Sequence, residues 1–125
     1  MTFVLLALGG VVGALGRYHG TRWVQSRISS AFPLGTFLVN LSGCWALGLL
    51  TGVLLAHPDW PGRELSLLLG TGVCGAYTTF SSFAFETMQL WRQGQRRQAL
   101  YNGLAQPLLG CLCVWLGLAL GRAIG

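Results

Sequence analysis

The chain has 125 residues, 53% hydrophobic and only 9% charged, with a mean hydropathy of +0.59 and a net charge of +5 carried entirely by arginine. A soluble domain carries about 25% charged residues, so this composition excludes a water-covered globule and specifies a membrane protein. The arginines are dispersed among loops rather than gathered on one face, which fits the headgroup boundary of a lipid bilayer and not a nucleic acid.

Residues 1–16, 28–56, 65–85 and 98–121 contain no Asp, Glu, Lys or Arg. A hydrocarbon core of about 30 Å takes roughly 20 helical residues to cross. The expectation is an all-α membrane protein, one domain over residues 1–125, with four transmembrane helices at about 2–23, 34–56, 63–91 and 98–123. Short loops remain, with no room for an extramembrane domain. The apolar runs are continuous rather than alternating, which excludes a β-barrel. Met1-Thr2-Phe3-Val4 lacks the basic n-region of a cleaved signal peptide.

Helix 1 is rich in glycine, and the pairs Gly9/Gly13 and Gly16/Gly20 place flat patches where another helix can approach closely. Pro33 is placed to start helix 2, in which Gly48/Gly52 repeat the spacing and Asn40 and Ser42 are the polar exceptions. His57-Pro58-Asp59-Trp60-Pro61-Gly62 reads as a turn. Helix 3 is too long and irregular for one plain span. Gly70, Gly72 and Gly75 precede Thr78, Thr79, Ser81 and Ser82, a pattern that predicts a break at membrane depth. Such a break survives only where it is buried in protein or lines a wet cavity. A basic loop from Arg92 to Arg97 leads to helix 4, polar or kinking at Tyr101, Asn102, Gln106 and Pro107, with Gly117/Gly121 near its end.

Enzymatic chemistry finds little support. The only carboxylates are Asp59, Glu64 and Glu86, and no Ser or Cys has a neighbouring His to activate it. Cys44, Cys74, Cys111 and Cys113 lie in apolar runs as small hydrophobes, with no metal cluster and no disulfide framework expected. Asn40, Thr78, Thr79, Ser81, Ser82 and Tyr101 instead supply hydrogen-bond donors without full charge, which suits the passage of a small anion. Phe80 and Phe83, at i and i+3, share a helical face, and their ring edges carry partial positive charge.

Gly13-Ala14-Leu15-Gly16-Arg17-Tyr18, Phe32-Pro33-Leu34-Gly35-Thr36-Phe37-Leu38-Val39-Asn40, and Gly75-Ala76-Tyr77-Thr78-Thr79-Phe80-Ser81-Ser82-Phe83 followed by Phe85-Glu86 together resemble the Fluc (CrcB-like) fluoride channels over the whole chain. The resemblance implies an antiparallel, dual-topology homodimer in the bacterial inner membrane, passively exporting cytoplasmic fluoride and lowering its toxicity. It implies Asn40 as pore donor, Phe80 and Phe83 as paired rings, Ser81, Ser82 and Tyr101 as polar lining, and Arg17 at the vestibule. It also implies a structural, untransported sodium ion held at the dimer centre by the backbone carbonyls of Gly75 and Thr78.

With both termini on one side, loops 1 and 3 hold Arg22, Arg27, Arg92, Arg96 and Arg97, against Arg63 and Arg122 opposite. That split should bias insertion toward one orientation. Either the bias is weak, or the partner is a paralogous subunit of opposite bias. Two other functions fit a chain of this kind. A proton-coupled multidrug exporter needs a titratable carboxylate in the membrane, for which Glu86 is the only candidate. A non-transporting scaffold leaves the broken, hydroxyl-rich helix 3 without a purpose.

Overall fold

The computed structural model describes all 125 residues and is entirely helical. Helix α1 is Thr2–Arg27 and α2 is Leu34–Ala56, the latter starting directly after Pro33, whose fixed φ suits a helix entry. The third helix comes in two pieces. The first, α3, covers residues 62–77, and the second, α4, is Phe80–Arg92. A tight turn at Gly94, the one residue with positive φ (78°), leads into α5, Arg96–Ile124. The helices match the expected spans but extend past them, by four residues at the end of α1 and two at the start of α5.

Helices α1, α2 and α5 are each long and apolar enough to cross a membrane. Helices α3 and α4 are each shorter than the roughly 20 residues a span needs, so the third crossing requires both. Thr78 (φ −79°, ψ 156°) and Thr79 (φ −146°, ψ 120°) are extended and separate them. The break therefore falls after the glycines, not among them. Gly70 and Gly72 lie in a π-helical stretch, Ser66–Cys74, where the Gly75 N–H reaches back five residues to Gly70 O.

The glycines serve helix contact. A Cβ at Gly9 would fall 2.2 Å from Leu68 O and 2.8 Å from Gly72 Cα, so α1 and α3 lie backbone against backbone. The most extensive pairing is α2 with α5. There Gly48 and Gly52 mesh with Gly117 and Gly121, and a Cβ at Gly48 would meet Val114 O at 2.2 Å. Small-residue contacts of this kind replace the hydrophobic drive that lipid cannot supply. Gly16 and Gly20 face the Tyr77 ring and Val39 instead of another backbone.

Only 20 of 125 residues are buried, and just five of these, Val24, Phe37, Val39, Leu90 and Ala99, are hydrophobic side chains of any size. The most buried side chain is polar, Asn102 at 0% exposure. Apolar faces thus point outward and hydrogen bonds fill the interior, the arrangement expected of a chain whose solvent is lipid.

Candidate functional site at the helix break

The break exists because side chains take over the hydrogen bonds of the missing helical turn. In a continuing α-helix the Thr79 N–H would bond Gly75 O, and the Ser82 N–H would bond Thr78 O. Here Thr79 N–H donates to Asn40 Oδ1 at 2.8 Å, and Ser82 N–H donates to Thr79 Oγ1 at 3.2 Å. Asn40 Nδ2 returns a bond to Thr79 O at 3.0 Å. One asparagine from α2 therefore pairs with both main-chain groups of Thr79, much as a neighbouring strand would. Thr79 is also the N-cap of α4, its hydroxyl 3.1 Å from Ser82 Oγ and 3.3 Å from Ser81 Oγ.

Around this break lies an open groove of about 490 Å³. Its lining includes Asn40, Gly75, Thr78, Phe80, Phe83 and Gln106, and it contains no acidic or basic side chain. The Phe80 and Phe83 ring centroids are 5.6 Å apart at 53°, with Phe80 79% exposed on the groove. At the break α3 presents its carbonyl end and α4 its amide end, so a position favouring cations adjoins one favouring anions.

A second polar set joins α2, α4 and α5. Asn40 Nδ2 also donates to Gln106 Oε1, Gln106 Nε2 donates to Asn102 Oδ1 at 2.9 Å, and Asn102 Nδ2 donates to Thr87 Oγ1 at 2.8 Å. Glu86 lies apart from the groove, on a cavity of about 210 Å³ near the end of α1. Its Oε1 accepts the Thr36 hydroxyl at 2.8 Å, while Oε2 is buried without a partner.

The sequence is similar to known proteins over nearly its whole length. The family profile described as CrcB-like protein, Camphor Resistance (CrcB), matches residues 4–118. The chain belongs to the CrcB family. Among relatives of this CrcB-family chain, a protein of Acidobacterium capsulatum named fluoride-specific ion channel FluC is 42% identical over 99% of this chain and 98% of its own. Proteins of the same name from Paracoccus denitrificans (44% identical; 98% of this chain, 96% of its own) and Nitratidesulfovibrio vulgaris (46%; 97% of each) are equally similar.

Within this CrcB-family fold, the groove brings together Asn40, Phe80, Phe83, Gly75 and Thr78. Ser81 and Ser82 sit beside it in the hydroxyl cluster that caps α4. Tyr101 points away from it, 58% exposed and packed on Phe32 and Phe37 with ring centroids at 5.6 and 6.3 Å. Arg17 is half-buried on α1 and does not line it. Helix α5 contributes Gln106, backed by Asn102, both singled out in the sequence only as polar interruptions. Their i, i+4 spacing inside a charge-free run was the signal that could have assigned them.

Proposed function

We propose that the chain is a passive, fluoride-selective channel of the bacterial inner membrane that lets fluoride leave the cytoplasm and so lowers its toxicity. The observation that carries this reading is the uncharged groove in which the helix break, Asn40 and the Phe80/Phe83 pair meet. Fluoride is small and strongly hydrated, so it enters protein only where N–H, O–H and aromatic edges replace its water. The names of the relatives point the same way. An exporter coupled to protons would want its carboxylate on the path, and Glu86 lies off it.

The open groove and the scarcity of internal core favour a second chain packed there in the opposite orientation. A two-fold pair would put the same patch on both sides of the interface and two paths beside it. A single purified sequence reconstituted in liposomes tests both ideas. Fluoride efflux without a proton gradient and with chloride excluded is expected; equal chloride flux, or flux that requires a pH gradient, would falsify the reading. Flux from one purified gene product also favours the homodimer over a paralogous partner.

A structural sodium ion fits the carbonyls freed at the break. Thr78 O accepts no hydrogen bond, and the helical partner of Gly75 O has gone to Asn40. Gly75 and Thr78 would hold the ion, which suits hard oxygen donors and needs no acidic side chain. Bound there, it would supply fixed positive charge and tie two chains together. Replacing Na⁺ with a much larger cation is expected to lower flux slowly, as a buried ion leaks out. Gly75 has ordinary helical geometry (φ −63°, ψ −37°), and a Cβ there meets only Gly70 O, at 3.9 Å. Gly75→Val should therefore fold within the chain and lose flux because its side chain stands on the open face. Full flux both after prolonged sodium removal and in Gly75→Val would leave these carbonyls without a ligand.

The aromatic pair separates packing from passage. Phe80→Leu and Phe83→Leu conserve much of the apolar volume, a change that usually costs less than about 1.5 kcal/mol of stability. Both are expected to melt near the unsubstituted protein yet lose most fluoride flux. Normal flux in both would assign the rings to packing alone.

A further inference from the structure

The Asn40 side chain has two N–H groups and one oxygen, and the fold fixes which way they point. Thr79 N–H is a main-chain donor and cannot be turned over, so the Asn40 oxygen must face it and Nδ2 must face Thr79 O and Gln106. The same reasoning passes along the chain of amides. Gln106 shows its oxygen to Asn40, so its Nε2 goes to Asn102 Oδ1. Asn102 Nδ2 then goes to Thr87 Oγ1, whose own proton goes to Phe83 O at 2.7 Å. The relay starts at a main-chain donor and ends at a main-chain acceptor. Inverting any amide would set donor against donor or acceptor against acceptor. Both N–H groups of Asn40 are consequently engaged, one by the break and one by Gln106.

We infer that Gln106 Oε1 is a built-in competitor for anions, occupying the N–H of Asn40 that fluoride would use and yielding it only when an anion displaces it. The inference rests on the proposed fluoride path. Gln106 lines the same groove as Asn40 and is 6% exposed, so its oxygen belongs to the wall rather than to the open space. Such a competitor does two things. It keeps a buried donor paired when no ion is present, avoiding the cost of an unsatisfied N–H. It also weakens anion binding by one hydrogen bond, which lets an ion leave as readily as it enters.

The test compares two substitutions that a purely structural role would treat alike. Gln106→Met removes the acceptor while keeping an unbranched side chain, and the fluoride concentration giving half-maximal flux is expected to fall about fivefold, the factor one hydrogen bond of ordinary net strength represents. Gln106→Glu keeps the acceptor and strengthens it, and the same concentration is expected to rise. Shifts in the same direction, or no shift in either, overturn the inference. The unsubstituted protein provides a measurement that does not depend on the variants folding. Titrating it with sodium fluoride should move the ¹⁵N side-chain amide signals of Asn40 and Gln106 together, and movement of Asn40 alone overturns the inference. Flux through the unsubstituted protein is measured first. If it is absent the channel reading itself has failed, and the inference falls with it.

Discussion

Asn40→Ala is expected to abolish fluoride flux and to lower the melting temperature of the purified protein. Alanine removes the only partner of the Thr79 N–H and C=O, and Thr79 is buried. Each main-chain group left unpaired inside the protein costs about 1–3 kcal/mol, and lipid offers no water to replace the loss. Gln106 loses its donor in the same change. Asn40→Asp is the informative companion. An aspartate oxygen still accepts Thr79 N–H but has no hydrogen to return to Thr79 O, and it adds a negative charge to the path. Its second oxygen faces Thr79 O and Gln106 Oε1, acceptor against acceptor, so it should melt below the unsubstituted protein and conduct no fluoride. Wild-type melting and flux in Asn40→Ala would show that the break stands without its clamp.

The second large effect is expected at Gly117. A Cβ there would fall 2.2 Å from Trp45 O and 2.8 Å from Leu49 N, both main-chain atoms that cannot rotate away. Gly117→Ala must therefore push α5 off α2, and overpacking of this kind typically costs about 1–3 kcal/mol or more. The displacement also carries Gln106 on α5 away from Asn40 on α2, so flux should fall with stability. Gly10→Ala is the control, since nothing lies within 4 Å of a Cβ at that position. It should behave as the unsubstituted protein in thermal melts and in efflux assays. Equal melting of Gly117→Ala and Gly10→Ala would count against the close α2–α5 contact.

The four helices were legible because charge marks their ends and bilayer thickness sets their length. Pro33 announced α2 to the residue, while α1 and α5 run further than the charge-free stretches because arginine at a helix end keeps its head in the boundary region. The existence of the break was also legible, from glycines followed by hydroxyl residues. Its place, at the hydroxyl residues just ahead of Phe80, was legible too; what holds it open there was not. Gly70 and Gly72 weaken a helix in isolation, yet α2 packs on the first and α1 on the second, and the chain stays helical in a wider winding. The interruption falls at Thr78 and Thr79 because Asn40, 39 residues earlier, supplies the replacement bonds. No local pattern holds that information.

The site was readable in the same uneven way. Asn40 and the Phe80/Phe83 pair stood out as polar and aromatic exceptions within spans. Tyr101, polar and close to a helix start, rested on a looser match than these, and within the chain its neighbour Asn102 faces inward while Tyr101 faces out. A single position on a helix is about 100° of rotation. Neither residue type nor charge spacing fixed that angle; the packing of Phe32 and Phe37 against Tyr101 does. The Thr36 hydroxyl bond to Glu86, 50 residues away, was hidden for the same reason as the bonds from Asn40 to Thr79: the partners are far apart in sequence.

The clamp at Thr79 also sets an order of assembly. As the chain is made from its N-terminus, α2 is in place before Thr79 appears, so Asn40 is already waiting when residues 62–92 enter the bilayer. Gln106 arrives last. The bonds that replace the missing helical turn come from Asn40 and Thr79 alone, so residues 62–92 can take their two-piece form as soon as they lie beside α2. What α5 adds is the partner for the remaining Asn40 N–H and the amides behind it. The interruption thus precedes the relay, and the youngest segment of the polypeptide closes a site that older segments have already opened.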